Sequence, residues 1–223
     1  MASTSQPPLN KVLFELHNFN DDFLLLRSDD ERLPQLGRAI FERRFDFAEE
    51  VIVAEREICI QLNRPFGAAE RQLLESVRPA AQTSAGTHEW PVLFAENGDW
   101  LEVERYTRRS RESIIRQLLD QEFRVAMFGF LPGFLYLTGL PPELHIPRKT
   151  TPATRVGAGS LAIGGPYLGV YSVESPGGWH VIGETLPPFD PKQLPPVTLH
   201  PGDLVRLRPI DRQNFKSPAR ADR

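Results

Sequence analysis

The chain predicts a small α+β unit followed by an all-β barrel or sandwich, and three observations predict it. Early in the chain, apolar residues recur at strand spacing, then helical spacing, then strand spacing again. Residues 80–89 (AAQTSAGTHE) are small, polar and without periodicity, as a linker is. From Gly129 to Pro209 the chain holds 12 of its 16 glycines and 14 of its 21 prolines. That density excludes helix, yet the runs Leu161-Ala162-Ile163, Val170-Tyr171-Ser172-Val173 and Trp179-His180-Val181-Ile182 are too apolar for a linker. Short strands closed by tight turns satisfy both constraints.

In chain order, Val12, Phe14 and Leu16 alternate as in a half-buried strand. Ser28 with Glu31 has the spacing of a capping box, with Asp29 and Asp30 at the helix start, and Leu33, Leu36, Ile40 and Phe41 share one face through about Arg44. Val51-Ile52-Val53 and Ile58-Cys59-Ile60 predict two strands joined by a turn over 54–57. Pro65 and Gly67 precede a second helix with Leu73, Leu74 and Val77 inward, ending before Pro79. Strand, helix, strand, strand, helix is the order of a ferredoxin-like α/β sandwich. Trp90 to Phe94 is apolar and ends at Asn97-Gly98-Asp99, a tight turn. Ser110 caps a helix carrying Ile114, Ile115, Leu118 and Leu119 and ending near Phe123. We expect domains over 1–86 and 87–210, with a polar tail over 211–223.

Charge and cysteine content narrow the function. A net charge of −3 and a pI near 6.0 argue against a nucleic-acid surface. Residues 1–128 carry 22 acidic and 16 basic side chains, a net of −6, whereas 129–209 carry 5 and 6, a net of +1. The single cysteine, Cys59, excludes an internal disulfide, fits a reducing compartment, and reads as an inert strand thiol. The N-terminal residues lack the basic start and apolar core of a signal peptide, and no apolar run reaches the ~20 residues of a membrane span. The expected location is cytoplasmic, away from membrane. His17, His88, His145 and His200 share no metal-ligand spacing with each other or with Cys59, so no metal is expected.

Chemistry concentrates in the glycine-rich half. Phe130, Pro132, Gly133 and Phe134 form an aromatic loop able to line a pocket and offer backbone amides to an oxyanion. Arg148, Lys149 and Arg155 bracket threonines in a proline-bounded loop suited to phosphate or carboxylate. Ser175, Gly177, Gly178, Trp179 and His180 form the sharpest local motif, with Trp179 anchoring a turn and His180 facing the other side of an emerging strand, available as acid or base. A triad of Ser175, His180 and Asp203 would need a nucleophile elbow that is missing from the sequence. Gly157-Ala158-Gly159-Ser160-Leu161-Ala162 matches a loose dinucleotide pattern, but Gly164-Gly165-Pro166 forbids the helix that pattern requires. The five aromatics Phe128, Phe130, Phe134, Tyr136 and Trp179 look too many for a small barrel to bury, which predicts an interface.

The ordered motifs Gly129-Phe130-Leu131-Pro132-Gly133-Phe134, Pro147-Arg148-Lys149 with Thr151-Pro152 and Arg155, Gly157-Ala158-Gly159-Ser160, Ser175-Pro176-Gly177-Gly178-Trp179-His180, and Pro201-Gly202-Asp203 before Val205-Arg206 resemble the allophanate hydrolase subunit 1 family. That family includes the B subunit of bacterial ATP-dependent 5-oxoprolinase, an inhibitor of a sporulation histidine kinase, and part of the urea carboxylase carboxyltransferase region. The resemblance implies a cyclophilin-like β-barrel behind the N-terminal unit. It further implies ATP-dependent opening of a small lactam or amide, in a complex with the family's second-subunit (C-type) protein and an A subunit. The catalytic candidates are His180, Arg155 and Arg148; no Walker-type loop is present, so ATP would be handled with the partners. The alternatives are a non-catalytic inhibitor docking on a histidine kinase, or a component of a urea-type carboxyltransferase or allophanate hydrolase. Relatives carry a tyrosine, two glycines and an acidic residue near position 94. Here only Glu96 and Gly98-Asp99 echo that pattern, which implies a different substrate preference or a loss of activity.

Overall fold

The computed structural model describes residues 12–79, 86–96, 98–193, 196–197 and 199–215. Most of the expected linker (80–85), Asn97 of the expected turn, and the end of the expected tail (216–223) lie outside the described residues. The chain separates into two compact units, Met1–Gln82 and Thr83–Arg223.

The first unit runs β1 (Glu15–Asn18), β2 (Phe23–Arg27), α1 (Leu33–Arg43), β3 (Ala48–Val53), β4 (Glu57–Leu62) and α2 (Ala68–Ser76). Its antiparallel sheet has the order β1-β2-β4-β3. Strand β2 was not foreseen, because Phe23-Leu24-Leu25-Leu26 is a continuous apolar run without a visible period. In the sheet it alternates after all, with Leu24 and Leu26 buried beside Ile58 and Ile60 of β4. The capping box at Ser28 does not form. Ser28 Oγ accepts the Asp30 N–H at 3.0 Å, and Asp30 accepts the Arg32 N–H at 2.9 Å. These turns delay α1 to Leu33, where Pro34 occupies the first turn at no hydrogen-bond cost. Leu33, Leu36 and Ile40 are buried as expected, but Phe41 and Leu73 are half exposed rather than inward. Cys59 sits on the sheet face opposite the core, and burial with nearby Glu57 and Glu50 pushes its thiol pKa up.

The second unit contains β5 (Thr87–Phe94), α3 (Trp100–Thr107), α4 (Arg111–Asp120), β6 (Phe123–Phe128), β7 (Leu135–Thr138), β8 (Ala153–Val156), β9 (Ser160–Gly164), β10 (Tyr167–Val170), β11 (Ser175–Gly177), β12 (His180–Thr185) and β13 (Leu204–Pro209). Seven strands close into a barrel in the order β10-β7-β6-β13-β5-β12-β9, while β8 and β11 pair separately. Every barrel pairing is antiparallel except β5 with β13, which run parallel in register from Thr87–Leu204 to Val92–Pro209. Inward residues such as Phe123, Leu135, Leu161, Ile163, Leu168, Ile182 and Val205 fill the core, each worth about 1.5–3 kcal/mol of burial. Residues 87–89 belong to β5, so the expected linker overlaps a strand. Ser110 caps α4 as expected, its Oγ accepting the Ser113 N–H at 3.3 Å, but the helix stops at Asp120 because Phe123 opens β6.

Helix α3 was not foreseen, since only Trp100 and Val103 mark its buried side. It lies along β12 and carries Asp99, Glu102 and Tyr106 at one-turn spacing toward that strand.

Candidate functional site

A second apolar cluster sits apart from the barrel core, built from Phe134, Val156, Ala162, Tyr171 and Trp179. Trp179 lies flat on the backbone of β9 and β10. A Cβ at Gly164 would lie 2.3 Å from its ring and one at Gly169 2.5 Å, so glycine at both positions makes room for the indole. Phe134 meets Trp179 edge-on at 5.5 Å and Tyr171 at 4.9 Å, and Tyr136 meets Trp179 at 5.4 Å. Such edge-to-face pairs add about 0.5–1.5 kcal/mol each beyond burial. Burial raises the phenol pKa of both Tyr136 and Tyr171. Nearby Arg148 opposes the rise at both, and at Tyr171 a hydrogen bond from the Trp179 backbone N–H opposes it more strongly.

The barrel unit takes up more of the five expected aromatics than their number suggests, though not all of them. Phe134, Tyr171 and Trp179 are buried, Tyr136 and Phe128 are partly buried, and Phe130 alone of the five expected aromatics is largely exposed, at 64%. Glycines at the contact points let the rings stack on backbone, which composition does not reveal.

The cluster forms one wall of a pocket of about 160 Å³, closed by Phe130, Arg148, Lys149, Pro152, Gly177 and Gly178. Larger surface clefts of about 510 and 490 Å³ lie in the first unit. Their arginines are already paired, Arg27 with Glu57, Arg56 with Asp29, and Arg64 with Asp46 and Glu70. The smaller pocket combines apolar walls with cations and lies below the ~300–1,000 Å³ of most ligand clefts.

The cations come from the loop after Ile146. Arg148 is exposed at the pocket's edge, whereas Lys149 is anchored. The Lys149 backbone N–H donates to Gly178 O at 2.7 Å, and its Nζ lies 2.6 Å from Asp99 Oδ2 with the side chain only 16% exposed. Asp99 Oδ2 also accepts the Val181 N–H at 2.7 Å, and the Asp99 N–H donates to Val181 O at 3.0 Å. One carboxylate thus joins the start of α3, strand β12 and the cationic loop.

His180 is buried at 1% and does not line the pocket. Its Nε2 is 3.0 Å from Pro147 O; a carbonyl only accepts, so Nε2 carries the proton and donates. Nδ1 faces Glu102 Oε2 at 3.2 Å, within ion-pair range but off the line of a hydrogen bond. His180 therefore grips the loop that presents Arg148 and Lys149 from behind the pocket wall, rather than facing into the pocket. Arg155 is exposed on β8 and paired with Glu174 at 2.7 Å, and it is not among the residues lining the pocket.

The lip of the pocket is a strained turn. Phe130 has φ +68°, and the Leu131 N–H donates to Gly129 O at 2.8 Å across it, the bond of a γ-turn with a positive central φ. Pro132 and Gly133 support this turn rather than line the pocket: Ser172 Oγ donates to Pro132 O at 2.6 Å, and Gly133, with φ +71°, lies against Phe189. Ser175 is buried with its hydroxyl on Pro176 O, and Asp203 faces His88 and His200, so no Ser175-His180-Asp203 relay is assembled.

Of the residues expected from sequence, Phe130, Phe134, Arg148, Lys149, Gly177, Gly178 and Trp179 meet at the pocket. Tyr136, Tyr171 and Pro152 were missed as wall residues, and Asp99 as the partner of Lys149. The signals for Asp99 were its place in Gly98-Asp99, which echoes the acidic pattern of the family, and its one-turn spacing to Glu102 and Tyr106 at the start of a helix without a clear apolar stripe.

Similarity to known proteins extends over both units. The family model for the carboxyltransferase domain, subdomain C and D, matches residues 14–199. The B subunit of 5-oxoprolinase from Escherichia coli is 43% identical over 124 residues, covering 54% of this chain and 57% of that protein. This chain thus matches little more than half of that relative's length. The corresponding B subunit from Bacillus subtilis is 34% identical over 160 residues, 69% of this chain and 67% of its own length. The crystal structure of TTHA0988 superposes with a TM-score of 0.77 at 26% identity, over 88% of this chain and 40% of that chain. With most of its described residues inside the family match, the chain belongs to the family of carboxyltransferase domains, subdomains C and D.

Proposed function

We propose that this chain is a subunit of an ATP-dependent 5-oxoprolinase, opening the lactam of 5-oxoproline or a closely similar small cyclic amide. The observation that carries the reading is the pocket of about 160 Å³, with aromatic walls for a small ring and Arg148 and Lys149 for its carboxylate or a transferred phosphoryl group. Likeness to the B subunits of two bacterial 5-oxoprolinases supports the same reaction. In this reading the barrel is cyclophilin-like and the first unit is a variant of the ferredoxin-like sandwich.

A lactam carbonyl is a poor electrophile and its nitrogen a poor leaving group. Phosphorylation of the amide oxygen by ATP activates the carbon toward water. Within this reading, the rings exclude bulk water, Arg148 neutralises the substrate carboxylate, and Lys149 stands beside the reacting bond. His180 acts through Pro147, keeping the cationic loop in place. ATP is a co-substrate bound in the assembled complex, whose other members are an A subunit and a C-type second subunit. The natural setting is the cytoplasm, where ATP is supplied.

The test is 5-oxoproline-dependent release of ADP and glutamate by this chain co-purified with those two subunits. Coupled release supports the reading. An intact complex that leaves 5-oxoproline unopened overturns it.

A further inference from the structure

Resting on the 5-oxoprolinase reading, we propose that Lys149 is the catalytic proton donor to the lactam nitrogen as the ring opens, with Asp99 as its positioning residue. Arg148 and Lys149 are the two cations that line the pocket, and their settings differ. Arg148 is exposed, and a guanidinium holds its protons throughout the working pH range. Lys149 is fixed by three contacts: its backbone N–H on Gly178 O, its ammonium on Asp99, and the Pro147 carbonyl held by His180 two residues earlier. A lysine ammonium has three N–H donors, so one bond toward Asp99 leaves two for the pocket. The other hydrogen-bonding candidates serve less well. His180 is not on the pocket wall, and the phenols of Tyr136 and Tyr171 are uncharged, so neither brings the positive charge that favours the electron pair moving onto nitrogen.

The chemistry requires such a donor. Water adds to the phosphoryl-activated carbon and sheds a proton, leaving a tetrahedral carbon that bears hydroxyl, phosphoryloxy and ring nitrogen. If phosphate departs first, the lactam is regenerated and ATP is wasted. For the ring to open, the C–N electron pair must move onto nitrogen, and an amide anion is too basic to leave unprotonated. Transfer of one Lys149 N–H proton to that nitrogen releases a neutral amine, while the hydroxyl on the same carbon gives up its proton and becomes the carbonyl of an acyl phosphate. A second water hydrolyses the acyl phosphate to carboxylate and inorganic phosphate. Lys149, left as a neutral amine, recovers its proton from those shed by the attacking water, which restores the balance.

The experiment uses the purified three-subunit complex carrying Lys149→Arg, Lys149→Met or Tyr136→Phe in this chain. ADP and glutamate release are measured separately against 5-oxoproline concentration, with co-elution of the subunits as the folding control. General acid catalysis contributes about 10²–10⁴-fold. Both lysine variants should therefore lose about 100-fold or more in kcat for glutamate, with KM within a few-fold. ATP cleavage should fall less, so the ADP-to-glutamate ratio rises above that of the unsubstituted complex. Arginine keeps the charge but gives up no proton, so it should fail to rescue. Near-normal turnover in Lys149→Arg would overturn the proposal and reduce Lys149 to an electrostatic anchor. A raised KM with unchanged kcat in Lys149→Met would overturn it in favour of substrate binding, and an equal loss in Tyr136→Phe would move the donor role to the phenol. In each of those cases an active unsubstituted complex leaves the 5-oxoprolinase reading standing, whereas an inactive one overturns both.

Discussion

Phe130 offers a test in which stability and activity part company. Its φ of +68° is unfavourable for any residue with a Cβ, at about 1–2 kcal/mol. Its ring is 64% exposed, so roughly a third of an aromatic surface of about 150–250 Å² is buried, worth on the order of 1–2 kcal/mol. Phe130→Ala loses that contact and keeps the strain. Phe130→Gly loses the same contact and gains about 1–2 kcal/mol of relief, offset by roughly 0.5–1 kcal/mol of extra freedom in the unfolded chain. Glycine should therefore be more stable than alanine here by about 0.5–1 kcal/mol, the reverse of their order within a helix or strand. In a unit of this size that is a difference of about 1–4 °C in Tm. Thermal melts followed by tryptophan fluorescence report it, since Trp179 packs on the Phe134 ring that Phe130 also touches. On the 5-oxoprolinase reading both variants remove the pocket lip of the complex, so both should raise KM alike. If Phe130→Ala melts at or above Phe130→Gly, the γ-turn is not a constraint of the native state and the reasoning fails.

Gly164→Ala would drive a methyl group into the Trp179 ring and should cost about 1–3 kcal/mol, read by chemical denaturation together with loss of the near-UV tryptophan signal. His180→Ala leaves Pro147 O without its donor; a loss of about 1–3 kcal/mol and faster hydrogen exchange at the Lys149 amide are expected, and unchanged exchange would mean that the loop is held by its other contacts. Burial raises the Cys59 thiol pKa, so little thiolate is present at neutral pH; a maleimide or disulfide reagent should label the native chain slowly and the urea-unfolded chain fast. Glu70 is held below the usual carboxylate range first by its hydrogen bond to Arg64, then by backbone N–H groups. Its folded pKa is depressed, so its contribution is present above the ordinary glutamate pKa and is lost as pH falls through the lowered value. Glu70→Gln should flatten the stability curve of the first unit in that acid window and leave it unchanged in slope near neutrality.

The sequence made the barrel legible because turn formers and short apolar runs carry direct backbone meaning. Ser110 as a cap and the β3–β4 pair were legible for the same local reasons. Strand β2 and helix α3 were not, since one lacks visible alternation and the other buries only Trp100 and Val103 and leaves half of its residues exposed. At the site, Trp179, Phe134 and Arg148 announced themselves by residue type and motif. Whether Trp179 is buried depended on Gly164 and Gly169, which are distant from it in sequence and meaningful only once β9, β10 and the 175–180 turn are side by side. Arg155 and His180 show the converse: their chemistry was plain, but only the partners Glu174, Pro147 and Glu102 revealed that neither faces the pocket.

The parallel pairing of β5 with β13 has a consequence for how the protein is made. The strand that opens the barrel unit has as one neighbour the strand that closes it, so that ladder stays incomplete until Leu204–Pro209 has left the ribosome. Until then β5 presents an unsatisfied edge and β6 lacks its partner on the same side. Strands β7, β9 and β10, which carry Tyr136 and the backbone beneath Trp179, are synthesised during this wait and depend on closure to hold their curvature. A chain stopped before Leu204 should thus behave as an aggregation-prone open sheet, and time spent translating the proline-rich crossing before β13 is time spent exposed.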